Sequence, residues 1–416
     1  MHAKLVLLLL LIVSVARVGA AETLTLAQAL ALALEKNPEL VASSADIRAA
    51  EARRVQVSRL PNPELEVEVE NVAGSGEFSG TDAAEATLQL SQLIELGGKR
   101  GQRTRAAALE RDVAQLDYDA LRLDVWRRVT QEFVAVLQAQ RRLELAEQAL
   151  ALTEKFAPAA QRRVEAGAAS PVELTRFNLQ TATARNDREQ ARQNLSAARK
   201  RLAAFWGSAE PQFERATGDL EKLPTVPPPA QAADRLSQTP SVRRWEQEQA
   251  RRQAAVALER ANAFPDVTVG AGVRHFNEPG ENAAVLGLSV PLPLFHRNQG
   301  ALAEARANSE KADAEQRAAL VQRRSAVALA YESLAAAQAQ ITTLRETILP
   351  QAQEAFDAVN EGYSAGRFSY LEVVDAQNTL IESKLRFIEA LATAQQAVAE
   401  IEGLTGQPLN QLFSGE

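Results

Sequence analysis

The chain has 416 residues, a formal charge of -7, three histidines and no cysteine. Without cysteine there is no disulfide framework, thiolate metal site, cysteine nucleophile or acylated N-terminal cysteine, and the acidic balance argues against nucleic acid, whose phosphates demand excess Lys and Arg. His2, His275 and His296 lack the partner spacing of a metal site or a nucleophile triad, so the sequence offers no catalytic residues, no metal ligands and no cofactor site.

The chain opens Met1-His2-Ala3-Lys4, runs through apolar residues from Leu5 to Val15 and reaches Val18-Gly19-Ala20-Ala21 ahead of Glu22. A basic start, a short apolar core and small residues at a cleavage point predict a secretory signal peptide over 1–21, cut after Ala20 or Ala21. Loss of Lys4 and Arg17 takes the formal charge of -7 to about -9 (-7 minus 2) in the mature chain. Beyond Ala21 no stretch approaches the roughly 20 apolar residues of a spanning helix, so the mature chain is either soluble or crosses a membrane as β-strands.

A helix is predicted from Leu26 to Leu60. After Pro63 the sequence alternates Glu64, Leu65, Glu66, Val67, Glu68, Val69, Glu70, which puts every carboxylate on one face of a strand and every aliphatic side chain on the other. A Gly/Ser-rich loop from Asn71 to Ala84 leads to a return strand, Thr87 to Leu93, with the same alternation. From Gly98 to Arg163 the composition is helix-forming throughout, interrupted only by Gly101 and Pro158. About 67 residues at 1.5 Å each span roughly 100 Å, which only a coiled assembly holds. Two apolar seams, Leu109, Val113, Leu116, Ala120, Leu123 and then Trp126, Val129, Phe133, Val136, suit packing on both flanks. An Ala-Gly turn then gives way to a return helix from Pro171 to Ala204.

Gly207 to Gln238, with Pro211, Pro224 and Pro227-Pro228-Pro229, reads as an extended connector. Beyond it the pattern repeats: a helix from Ala230 to Ala263, strands through Val267, Val269, Ala271, Val273 and through Leu286, Leu288, Val290, a long helix with Leu334, Ile341 and Ile348 at sevens, and a return helix from Ser369 to Gly403. At an offset of about 199 residues Val164–Glu173 aligns with Tyr363–Glu372, sharing Ala, Gly, Ser and Glu, and the strands and Pro63/Pro265 align as well. The expected organisation is therefore a first repeat over 22–206, a connector over 207–238, a second repeat over 239–406 and a tail over 407–416. Four strands of membrane length have edges that lipid would not tolerate, so a barrel must be shared between chains. The number of chains is not fixed by the strands.

Over essentially the whole mature chain, this organisation resembles the TolC family of outer-membrane efflux channels. Gln92-Leu93-Ile94-Glu95-Leu96-Gly97-Gly98-Lys99-Arg100 and Val290-Pro291-Leu292-Pro293-Leu294-Phe295-His296-Arg297-Asn298 are similar to the two strand-to-helix junctions of its cobalt-zinc-cadmium resistance branch. The Gly-Gly-Lys-Arg sequence is not a phosphate loop, since it lacks the earlier glycine and the following Ser or Thr. The resemblance implies a mainly α fold with membrane β: a homotrimer whose twelve-stranded barrel, four strands per chain, sits in outer-membrane lipid and continues as a twelve-helix periplasmic coiled-coil tunnel. The lumen would be lined by Glu64, Glu66, Glu68 and Glu70. The implied partners are a periplasmic adaptor (membrane fusion) protein and an inner-membrane RND-type pump.

The resemblance also assigns roles at the two helical turns. Gly167, Ser170, Glu173 and Gly366, Ser369, Glu372 become adaptor-docking tips. Tyr363 and Arg367, with Glu173 as the arginine's partner, would hold the periplasmic entrance closed, and Glu372 and Asp375 would line its narrowest ring. The residues themselves allow a plainer role: glycine ends a helix, serine with glutamate three residues on caps the next one, and acids near helix starts favour the dipole. For cargo, the acidic strand face and the junctions point to divalent heavy-metal cations, and methionine at position 1 alone leaves no thioether path for copper(I). A drug-efflux or type I protein-secretion duct, and from another class a soluble periplasmic coiled-coil adaptor, stay open as alternatives.

Overall fold

The computed structural model describes residues 23–167 and 170–406. The predicted signal peptide over 1–21, the tail over 407–416 and the turn residues Ala168 and Ala169 lie outside them. The elements are β1 (Thr23–Thr25), α1 (Leu26–Lys36), α2 (Pro38–Val57), β2 (Glu64–Glu70), β3 (Glu85–Ile94), α3 (Lys99–Glu165), α4 (Pro171–Ala204), β4 (Arg215–Thr217), α5 (Pro229–Leu236), α6 (Pro240–Asn262), β5 (Val267–Phe276), β6 (Glu281–Ser289), α7 (Gln299–Thr343), α8 (Leu349–Ser364) and α9 (Tyr370–Thr405). None of the described helices is long and apolar enough to cross a membrane. The described residues divide into two compact units, one of residues 23–32, 129–167, 170–222 and 342–392 and the other of residues 33–128, 223–341 and 393–406.

The second of these units contains a four-stranded antiparallel sheet in the order β2-β3-β5-β6. Its register carries the alternation of β2 across every strand. Glu64, Glu66, Glu68 and Glu70 stand opposite Ser91, Gln89, Thr87 and Glu85, and these continue into Gly270, Gly272, Arg274 and Phe276. Leu65, Val67, Leu88, Leu90, Val273, Leu286 and Leu288 occupy the opposite face and are all exposed, Leu286 to 85% and Leu288 to 73%. A contiguous apolar face of this kind is foreign to a soluble monomer, where such patches mark interaction or membrane surfaces.

The same unit shows where the predicted single helices break. Asn37 caps α2, its side-chain oxygen accepting from the backbone N–H of Leu40 at 3.1 Å, and Pro38 takes the first helical position. The expected helix from Leu26 to Leu60 is therefore two. Likewise Pro240 starts α6 after Thr239, so α5 precedes it as a separate helix inside the stretch read as extended connector. Val113, Leu123 and Trp126 of the α3 seams are buried, as are Val327, Leu334 and Ile341 of α7.

In the first unit, the connector is tied down rather than free. Residues of β4 pair in parallel with β1, and Ala216 exchanges two hydrogen bonds with the buried side chain of Gln140, its N–H donating to Oε1 at 2.7 Å and its carbonyl accepting from Nε2 at 3.0 Å. Gly218 permits this approach, since a Cβ there would stand 2.9 Å from Leu137 Cδ1. The expected seam of sevens through Leu334, Ile341 and Ile348 does not hold at its last member. A π-helical turn, Leu344–Ile348, inserts one extra residue ahead of Pro350, which has no N–H for the α ladder. Leu344, three residues after Ile341, stays buried, Ile348 is left 38% exposed, and burial resumes at Ala352 and Phe356.

Candidate functional site

The turn between α8 and α9 is built by two opposed devices. Gly366, at φ +74, ends α8 in a left-handed conformation; its N–H donates to the Tyr363 carbonyl at 3.0 Å and that of Arg367 to the Gly362 carbonyl at 2.8 Å. These are the two bonds of a Schellman cap. The start of α9 is held by Glu372, whose carboxylate Oε2 accepts from the Ser369 N–H at 2.7 Å and from the Ser369 hydroxyl at 2.9 Å. Those two bonds hold the Glu372 carboxyl below its ordinary range. Phe368 folds back so closely onto Gly362 that no Cβ fits there. The first-copy turn uses the same chemistry more sparingly: Gly167 has φ +69, and the Ser170 hydroxyl accepts from the Val172 N–H at 3.3 Å ahead of Pro171.

Behind these turns lies an aromatic core. Tyr363, Tyr370, Phe177, Phe356, Val373 and Leu380 are buried together, with ring centroids 5.0 Å apart for Phe177 and Tyr370 and 6.2 Å for Tyr363 and Tyr370. Burial pushes the Tyr370 phenol well above its usual range, with Tyr363 and the charge of Glu173 adding to it. Glu173 leaves Oε1 buried without a hydrogen-bond partner. The geometry thus gathers Tyr363 and Glu173 around Tyr370, while Arg367, Glu372 and Asp375 are exposed. Among the described residues no ion pair joins Glu173 to Arg367 within one chain. Tyr370 and Phe177 were not singled out from the sequence. The signal was there, since two of the chain's four tyrosines fall within eight positions of each other.

The polar face of the sheet is the second candidate site. Arg274 donates from Nη1 to Glu85 at 2.8 Å and from Nε to the Thr87 hydroxyl at 2.9 Å, and its Nη2 lies 3.2 Å from Glu70. Gln89 lies across the flat patch made by Gly270, Gly272 and Gly287. Among the described residues, Glu64, Glu66 and Glu68 form no ion pair, and no three His, Asp or Glu side chains converge as metal ligands do. The junction from β3 into α3 is structural. Gly97 and Gly98 take φ +66 and +71, which swings Lys99 onto Asp266 at 2.7 Å. Asp266 also accepts from the Leu96 N–H at 3.0 Å, and Arg103 grips both oxygens of Glu95 at 2.6 and 3.1 Å.

The comparisons with known proteins agree with this geometry. The family described as "Outer membrane efflux protein" matches residues 29–208 and 233–407. The cobalt-zinc-cadmium resistance protein CzcC of Cupriavidus metallidurans is 38% identical over 371 residues, covering 89% of this chain and 87% of that one. The nickel and cobalt resistance protein CnrC of the same organism is 29% identical, covering 68% and 67%. The crystal structure of the Campylobacter jejuni CmeC outer membrane channel superimposes with a TM-score of 0.78 at 16% identity, over 92% of this chain and 85% of that one. At that identity the likeness speaks for the fold.

Proposed function

The chain belongs to the outer membrane efflux protein family, and from that premise we propose that it is the exit duct of a tripartite system that carries divalent heavy-metal cations out of the cell. The observation that carries the cargo is the 38% identity to a cobalt-zinc-cadmium resistance protein over most of both chains. The carboxylate face of the sheet supports it, because a lumen lined by one sign of charge concentrates counter-ions. Four strands per chain have two open edges that lipid would not tolerate. A homotrimer closes them into twelve strands, with Leu65, Val67, Leu286 and Leu288 against lipid and Glu64, Glu66, Glu68 and Glu70 in the lumen.

In this reading the long helices of three chains form the periplasmic tunnel, and the turns at Gly167 and Gly366 are its tips. Ser170, Glu173, Ser369 and Glu372 cap the returning helices and present the tips to a periplasmic adaptor, which links the duct to an inner-membrane RND-type pump. The two tips differ in a way that suits a gate in the second copy. Tyr363 anchors the inner turn in the aromatic core, Arg367 projects from it towards a neighbouring chain, and Glu372 and Asp375 form a carboxylate ring where the three chains converge. Such a ring repels itself and is restrained by the aromatic core behind it. Glu173, unpaired to Arg367 within one chain, is free in this reading to meet the arginine of an adjacent one.

A deletion strain tests the cargo. Tolerance to zinc, cobalt, cadmium and nickel is expected to fall and to return with the wild-type gene on a plasmid. Unchanged tolerance to all four, with raised sensitivity to dyes or detergents instead, would assign the duct to drug efflux.

A further inference from the structure

The two hairpins, residues 64–94 and 267–289, carry nine carboxylates, seven in the first and two in the second, against a single cation, Arg274. That cation is not on the apolar face or in a turn. The register sets it opposite Thr87, which stands opposite Glu68, so it belongs to the carboxylate face. It engages three partners there: Glu85 at 2.8 Å, the Thr87 hydroxyl at 2.9 Å and, reaching past β3 to β2, Glu70 at 3.2 Å. All three guanidinium nitrogens are used, a fixed fork that a flexible lysine would not reproduce. Glu70 ends β2, Glu85 begins β3 and Arg274 lies near the end of β5, so the cluster sits at the hairpin-tip end of the face, away from the helices.

Resting on the reading of this face as the lumen, we propose that Arg274 is a selectivity-setting residue: it offsets part of the carboxylate charge at the hairpin-tip end, so that cations drawn in by Glu64, Glu66 and Glu68 are held less tightly there. Conduction needs binding favourable enough to admit an ion and weak enough to let it go. An acidic ladder continuing undiminished to the tips would favour entry alone. The register puts Glu281 in the row of Glu70 and Glu85, opposite Phe276, so Arg274 takes the formal charge of that row from -3 to -2 (-3 plus 1), and one side chain lowers the pull on a cation at the far end.

The test is the reversal potential of the purified protein in planar bilayers under a KCl gradient. All variants share Glu372→Gln and Asp375→Asn, which keeps the tunnel tips from dominating the selectivity. Arg274→Gln is expected to raise the potassium-to-chloride permeability ratio about twofold, the size of one charge acting at roughly 10 Å through water. Arg274→Lys should hold the ratio, and Glu70→Gln with Glu85→Gln should lower it. If Arg274→Gln yields no heat-stable trimer, the carboxylate pair and the lysine variant decide. The proposal is overturned if these changes leave the ratio where it was while Glu64→Gln, Glu66→Gln and Glu68→Gln together lower it. If that triple change is also silent, the face is not the lumen, and the underlying reading falls with it.

Discussion

Phe368 and Gly362 share one space: the phenylalanine ring lies where any side chain at 362 would begin. The contact fastens the residue after the Schellman cap to the last turn of α8, so the turn carrying Arg367 is held by packing as well as by backbone bonds. At the offset that relates the two copies, the sequence has arginine at 163 and alanine at 169, so the glycine and phenylalanine of this pair belong to the second copy alone.

Gly362→Ala is therefore expected to evict the ring and loosen the second turn at a cost of about 1–3 kcal/mol, the range for overpacking. Limited proteolysis should cut the variant between Tyr363 and Tyr370 faster than the wild type. Adding Phe368→Ala should restore the wild-type resistance of α8, because the clash disappears with the ring. Equal cleavage of the single and double variants would show that the glycine is there for another reason.

Glu372 gives the second turn a dependence on pH. Its carboxyl is held below the ordinary range by the Ser369 N–H and hydroxyl, so ionised Glu372 favours the folded turn. Its contribution is fully present above the unfolded value of about 4.3 and is lost as pH falls through the lower folded value. Amide hydrogen exchange at Ser369 should stay slow down to about pH 4.3 and quicken below it relative to a reference amide in α9. Glu372→Gln keeps an acceptor for the cap but removes the charge. It should abolish the pH dependence while leaving the turn formed, and a melted turn in this variant would contradict the capping role.

At the junction, Lys99 and Asp266 have side chains only 10% and 22% exposed. Removing one partner leaves the other poorly solvated, so Lys99→Met is expected to cost about 2–3 kcal/mol, less than a fully enclosed pair because Asp266 keeps some water. The double variant Lys99→Met with Asp266→Leu should recover more than half of that. A thermal melt of the detergent-solubilised protein, read as a double-mutant cycle, measures the coupling, and additive losses would mean the pair contributes nothing.

What was legible in the sequence is what repeats at short range. Alternation in Glu64–Glu70 predicted both faces of β2, and glycine with serine predicted both turns. What was not legible depends on partners far along the chain. The Gly97-Gly98-Lys99 motif was visible, but Asp266, which explains the lysine, lies more than 160 positions away. The small β1–β4 sheet consists of two three-residue strands with no periodicity to read. The seam through Ile348 misled because one extra residue in a π turn rotates everything after it. The resemblance offered the tyrosine at 363 as part of an entrance clasp with Arg367, while its place in one core with Tyr370 and Phe177 needed three helices to be brought together.

The assignment of the two sheet faces rests on neighbouring residues of opposite fate, and β6 supplies the sharpest pair. Leu286 and Val285 are adjacent in sequence, yet the register sets Leu286 opposite Ala271 on the apolar face and Val285 opposite Gly272 on the carboxylate face. Because the period is two, nothing but the face distinguishes an arginine placed at one from an arginine placed at the other. On a lipid face near mid-membrane an arginine costs about 2–4 kcal/mol per chain, whereas in a water-filled lumen it mainly alters selectivity. Leu286→Arg should therefore deplete the protein from the outer-membrane fraction and lower the temperature at which its oligomer dissociates on gels. Val285→Arg should assemble normally and shift the reversal potential towards anions. The reverse pattern would exchange the two faces, and equal tolerance of both would mean that neither face meets lipid.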